Sequence, residues 1–236
     1  MIRPLCALLG FGLGVTGAAG KEVVVLLHGL ARSERSMTKL ASALTAEGYD
    51  VINVGYASTK APINTLADEA IGPALVEART RQAARVHFVT HSMGGILVRQ
   101  YLKARPIERL GRVVMLGPPN QGSEIVDLLG DSRIFSAING PAGRQLGTKP
   151  DSLPNRLGPV DFDLGVIAGD RSINWINSLL IAGADDGKVS VERTKVTGMK
   201  AHHVIHATHP YLMKNSRAIR ETVHFLREGR FSPAKP

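Results

Sequence analysis

The sequence predicts an α/β fold, with a mostly parallel sheet of about six strands and helices on both faces. Three observations lead there. Short apolar runs alternate along the chain with segments whose apolar residues recur at helical spacing, and most connections between them are short. The apolar runs are continuous, as expected of strands covered on both faces. Finally, 236 residues with 44% hydrophobic and 21% charged side chains suffice for a substantial core. Aromatics are only 5%, so that core has to be built from Val, Leu, Ile and Ala.

Residues 23–27 (VVVLL) read as the first strand. Met37, Leu40, Ala41 and Leu44 then mark a helix over 34–47, with Gly48 as its stop. Residues 51–54 form the second strand. A helix over 63–81 follows, which Gly72-Pro73 is expected to kink or interrupt. Strand 86–90, helix 93–104 and strand 113–116 come next. Residues 117–160 break the rhythm with Gly117-Pro118-Pro119, Gly140-Pro141, Lys149-Pro150 and Gly158-Pro159. They read as mostly loop with one or two short helices, and so long a segment over a compact sheet suggests a lid or rim. Strands return at 164–168 and 204–207, and a helix over 211–227 carries Ile219, Thr222, Val223 and Leu226 on one face.

At the N-terminus, Arg3 precedes an uncharged stretch that ends in Gly17-Ala18-Ala19. That is the layout of a signal peptide over 1–19, with a single domain over 20–236, so export to the periplasm or the medium is expected. The single cysteine, Cys6, falls within this segment, so a chain cleaved there would have no thiol chemistry. The net charge is +9, but the basic residues are scattered and no nucleic-acid-binding signature accompanies them. Most of this charge reads as a solvated surface, and it also allows a weak attraction to an anionic membrane or envelope surface. The sequence leaves the oligomeric state open.

Between the third strand and the next helix stands Thr90-His91-Ser92-Met93-Gly94-Gly95. A sharp strand-to-helix corner needs small residues two before and two after its central serine. Gly94 fits, Thr90 replaces the glycine of the strict Gly-x-Ser-x-Gly pattern, and Gly95 suits close approach of the helix to the sheet. Such a corner would hold Ser92 out as a nucleophile. A serine hydroxyl needs a base, and the base a third group that orients it. In a parallel sheet these groups gather beyond the carboxyl ends of the strands. For the base, His209 lies past the last strand, with Pro210 set to open the final helix, whereas His206 falls inside the strand. His91 adjoins Ser92 on a bent backbone and is expected to point elsewhere. His202 and His203 lack the carboxylate or cysteine spacing of a metal site. Asp185 and Asp186 follow the apolar run 179–182, and Asp170 follows another strand, so each is a candidate acid. Asp161 and Asp163 precede that strand and are weaker.

With these residues the chain resembles the α/β-hydrolase superfamily, particularly its small lipase- and esterase-like members, over 21–230. His28-Gly29 after the first strand adds to the likeness. The resemblance implies an α/β-hydrolase fold, with oxyanion-hole amides at Leu30 and Met93 and His28 bracing the loop. It implies the chain order nucleophile, acid, histidine, and Asp-Gly-x-Val aligns Asp186 with the acid. The loop 117–123 would be a pocket wall, with Ser123 structural. The implied activity is hydrolysis of small-molecule or lipid carboxylic esters through Ser92, His209 and Asp186, without cofactor or metal. Acyl transfer or thioester hydrolysis could use the same residues, and a binding protein could keep the fold without turnover.

Overall fold

The computed structural model describes residues 20–130, 132–172, 181 and 183–233. The expected signal peptide lies outside the described residues. Six strands, β1 Glu22–Leu27, β2 Asp50–Val54, β3 Arg85–His91, β4 Leu110–Leu116, β5 Leu164–Gly169 and β6 Ala201–Ile205, form one sheet. Their order is β2-β1-β3-β4-β5-β6, and every neighbouring pair is parallel. The chain runs from β1 outward to β2 and then crosses to β3 on the other side of β1. The order reverses there, and this is where an open parallel sheet leaves a crevice beyond its carboxyl ends.

The continuous apolar strands divide their side chains between two faces. Val23, Val25, Leu27, Phe88, Val113 and Met115 face one core, closed by α2 Ile63–Thr80 and α3 Met93–Ala104. Val24, Leu26, Val89, Val114, Leu116 and Ile167 face the other. That side is closed by α1 Thr38–Ala46 and a last helix, α7 Ser216–Glu228. Three further helices, α4 Glu124–Leu129, α5 Arg133–Arg144 and α6 Leu153–Arg156, lie between β4 and β5.

Several expectations need correction. The first helix opens as a 3-10 turn over Glu34–Met37 before α1. α2 runs through Gly72-Pro73 without interruption. Proline removes one hydrogen bond, but Pro73 and Glu69, whose carbonyl loses its donor, are both exposed to water. Gly72 has no Cβ to clash with the proline ring. β6 lies three residues earlier than expected at its start and ends at Ile205, leaving His206 outside the strand. The final helix is split: a 3-10 turn covers His209–Lys214, and Asn215 caps α7 by accepting from the Arg217 and Ala218 amides. The segment 117–160 is more helical than its prolines suggested, because those residues bend or start helices there without ending them.

This segment is tied to α3 by Arg99, a buried guanidinium whose partners are all neutral. It donates to the carbonyls of Asn120, Pro154 and Gly158 and to Asn120 Oδ1, at 2.6–3.1 Å. With no carboxylate beside it, burial pushes its pKa down to about 10.

α3 also approaches the end of β1 very closely. A Cβ on Gly94 would lie 2.6 Å from the Leu27 carbonyl oxygen and 2.9 Å from that of His28. One on Gly95 would meet Met115 Sδ at 2.9 Å, a flexible side chain that can move aside. Gly94→Ala is therefore expected to lower the unfolding free energy by about 1–3 kcal/mol, the usual penalty for overpacking. Gly95→Ala should cost less. Urea midpoints of the two variants check the order, and equal losses would refute it.

Candidate active site

Ser92 stands at the turn from β3 into α3 with φ 53° and ψ −124°, in a region that residues with a Cβ rarely occupy. A conformation of this kind costs about 1–3 kcal/mol and persists only where the surroundings impose it. Here the Ser92 amide donates to the Leu116 carbonyl at 2.8 Å, and the Gly95 amide returns to the Ser92 carbonyl at 3.0 Å. The corner leaves Ser92 half exposed between buried neighbours.

The acid and the histidine come together from separate loops. His209 Nδ1 donates to Asp186 Oδ2 at 2.7 Å, and the residues are only 4% and 1% exposed. Asp186 Oδ1 accepts the amides of Lys188 at 3.0 Å and Val189 at 2.9 Å. The His209 amide also binds the Asp186 carbonyl at 2.8 Å. A buried carboxylate is costly unless its oxygens are satisfied, and three N–H donors satisfy this one. Because a carboxylate only accepts, the proton in this bond sits on His209 Nδ1. Gly117, at φ 56°, lies against the pair: a Cβ there would come 3.1 Å from Asp186 Oδ2 and 3.2 Å from His209 Nδ1.

The rival acids have other partners. Asp185 accepts the Gly187 amide at 2.6 Å and shapes the turn. Asp170 bonds His206 Nδ1 at 2.9 Å in an exposed pair. Asp163 meets Lys200.

The loop after β1 is braced from the β2–α2 connection. Tyr56 stacks on His28 at 4.0 Å and donates its hydroxyl to the His28 carbonyl, while Ser58 Oγ accepts the Ala31 amide at 3.1 Å. His28 Nδ1 donates to the Gly29 carbonyl at 2.8 Å. Neither the Leu30 nor the Met93 amide has a hydrogen-bond partner among the described residues. Gly29, Leu30, Ser92 and His209 line one cavity of about 100 Å3. Phe135 and Asn139 of α5 and Val126 of α4 also line it. Ser123 is at its wall, with Oγ donating to the Lys188 carbonyl at 2.8 Å. A larger hollow of about 1000 Å3, at the amino ends of the strands, is lined by Val76, Tyr101 and Arg105 and holds no serine, cysteine or histidine. Among the described residues no group of three or more His, Cys, Asp or Glu side chains is placed to hold a metal.

His91 does not point away as expected. β3 extends one residue further than its apolar run, which turns this side chain inward. Its ring lies 4.8 Å from that of His209, and Nε2 donates to the His209 carbonyl at 3.0 Å. Burial and the neighbouring His209, Arg32 and Lys188 hold its pKa well below the ordinary value. Sequence reasoning also passed over Tyr56, Ser58, Arg32 and Lys188. Lys188 and Arg32 follow Asp186 and Leu30 by two residues, which was the signal available.

A family profile described as "Alpha/beta hydrolase family" matches residues 24–222. The chain belongs to the alpha/beta hydrolase family. No curated protein matches it. Among solved structures, the mature lipase BlEst2 of Bacillus licheniformis is similar with a TM-score of 0.71 and 18% identity, over 88% of this chain and 93% of that one. The phospholipase PlaB of Legionella pneumophila gives 0.69 and 19%, over 88% of this chain and 58% of PlaB. A metagenomic carboxyl esterase, MGS0156, gives 0.63 and 18%, over 89% and 68%. At these identities the likeness is one of fold.

Five of the eight histidines, His28, His87, His91, His202 and His203, have lowered pKa values, with burial the largest cause in each. On acidification the unfolded chain takes up these protons first, so it binds more protons than the folded chain. The unfolding free energy is therefore expected to fall as the pH drops below about 6.5, the ordinary histidine pKa. Urea midpoints at pH 7.5, 6.5 and 5.5 should decrease in that order, and a flat series would contradict the assignment.

Proposed function

We propose that the chain is a serine hydrolase that cleaves carboxylic esters. The observation that carries this reading is the buried bond from His209 to Asp186, opening with Ser92 onto one cavity. Ser92 Oγ forms a bond to the acyl carbon while its proton passes to His209 Nε2. Asp186 keeps the imidazole in the required tautomer and stabilises it when charged. The carbonyl oxygen, now negative, takes the free Leu30 and Met93 amides, fixed dipoles that need no reorganisation. The tetrahedral intermediate collapses, His209 protonates the departing alcohol, and the acyl group stays on Ser92. Water then gives its proton to His209 and attacks the acyl carbon, releasing the acid and restoring the serine.

The cavity is smaller than the roughly 300–1,000 Å3 of most ligand sites, which favours a short acyl chain. Leu128, Leu129, Ile134 and Ile138 stand exposed on α4 and α5 next to it. Together with the net charge of +9, they favour esters met at an anionic lipid surface as well as in solution.

A fluorophosphonate is expected to add once to the protein, seen by intact-mass spectrometry, and not to add to Ser92→Ala. A folded wild type that stays unlabelled would overturn the reading. Asp186→Asn keeps the shape of the pair but permits the wrong tautomer. It should lower kcat by about 10^3- to 10^4-fold with little change in KM, measured on a short-chain nitrophenyl ester.

A further inference from the structure

Two cations share the cavity with Ser92 and His209. Arg32 enters from the loop after β1, and Lys188 from the loop that carries Asp186. Neither has an ion pair or a hydrogen bond from its side chain among the described residues. Elsewhere some of the cations meet acids, as in Arg105–Asp68, Arg193–Glu124 and Arg227–Glu47. The carboxylate that acts on Lys188 is that of Asp186, and its oxygens are already engaged by His209 and two amides. Lys188 is exposed as a residue, yet protein packed around its ammonium end lowers its pKa. Arg32 adds to that shift and Asp186 opposes it. Two like charges held at the mouth of a mostly apolar cavity destabilise the empty site, and an anion between them reverses the sign of the effect. A guanidinium fork and an ammonium point charge together suit a carboxylate or phosphate group.

We propose that Arg32 and Lys188 form an anion-recognition pair, so that the preferred esters of Ser92 carry a carboxylate or phosphate a few bonds from the scissile carbonyl. The proposal rests on the catalytic reading of Ser92, His209 and Asp186 given above. It makes the two residues determinants of specificity, in contact with the substrate at a distance from the reacting atoms. The alternative role for such cations, general stabilisation of the oxyanion, would favour every ester alike. The two roles therefore separate in a ratio of substrates.

The test uses matched pairs: butyrylglycerol against butyrylglycerol phosphate, and nitrophenyl butyrate against the nitrophenyl monoester of succinic acid. The first pair puts the charge on the alcohol side, the second on the acyl side. The wild type is expected to favour the charged member of at least one pair by about tenfold or more in kcat/KM. Arg32→Met and Lys188→Met should each cut that ratio several-fold, and the double variant should bring it near one. Arg32→Lys should keep part of it. Raising the ionic strength from about 0.05 to 0.5 M should weaken the wild-type preference. A wild-type ratio of one or less for both pairs overturns the proposal, as does a ratio that survives in the double variant.

Binding to Ser92→Ala, measured by calorimetry with butyrylglycerol and its phosphate, separates this proposal from the hydrolase reading. Tighter binding of the phosphate ester without turnover by the wild type would leave the anion site standing and remove the hydrolase. Turnover of the esters without any charge preference would do the reverse.

Discussion

The close approach of α3 to the carboxyl end of β1 is the constraint on which the rest of this structure depends. β1 and β3 are adjacent and in register up to Leu27 and Thr90, so the segments that follow them leave the sheet side by side. For the helix after β3 to start at that height without hitting the Leu27 and His28 carbonyls, position 94 can have no side chain. The chain then has to reverse within one residue, and Ser92 takes the strained conformation that results. Strand pairing and helix packing over the two cores hold it there, because relaxing Ser92 would require moving α3 off the sheet. Stability from the core is thereby converted into a side chain held in a fixed direction.

The polar groups around this corner form a layered arrangement in which each part holds the next. Tyr56 and Ser58 hold the loop after β1, Gly117 packs on the acid–histidine pair, and His91 bonds the backbone of His209. Most of these bonds end on main-chain atoms, which fixes loops more firmly than contacts between mobile side chains would. Arg99 extends the arrangement outward by gathering carbonyls from three points of the 117–160 segment onto α3. A guanidinium suits this task because its donors fan out in a plane and the group stays charged even when burial lowers its pKa. The segment that carries the cavity-lining helices is thus anchored to α3 at Asn120, Pro154 and Gly158.

Electrostatically the site is divided. In the interior, burial lowers the pKa of His91 and His28, and the Asp186 carboxyl group is enclosed by N–H donors. Arg32 and Lys188, by contrast, line the same cavity with no acidic partner among the described residues. On the proposed reading, charge selection by Arg32 and Lys188 would act apart from the proton transfers between Ser92 and His209.

Periodicity and composition by themselves determined the alternation of strands and helices and the two-faced burial of the sheet, while the family resemblance rested on the residues around Ser92 and on His28-Gly29. Those features follow from local rules: continuous apolar runs need cover on both sides, and glycines mark where backbones approach. The positions of Ser92 and His209 beyond β3 and β6 were legible for the same reason, since a parallel sheet sends every carboxyl end to one edge, whereas the run before Asp186 lies mostly outside the described residues. Which acid bonds His209 was open among Asp170, Asp185 and Asp186, because a choice between loops distant in sequence depends on how they meet in space. The tertiary structure also decided that α2 continues through Pro73, where water replaces the lost hydrogen bond, and that His91 turns inward at the end of β3. The convergence of Arg32 and Lys188 on one cavity, and the stacking of Tyr56 on His28 beside it, likewise needed the fold. These residues come from three separate connections, and no spacing in the sequence encodes the distance between loops that only the folded sheet brings to the same edge.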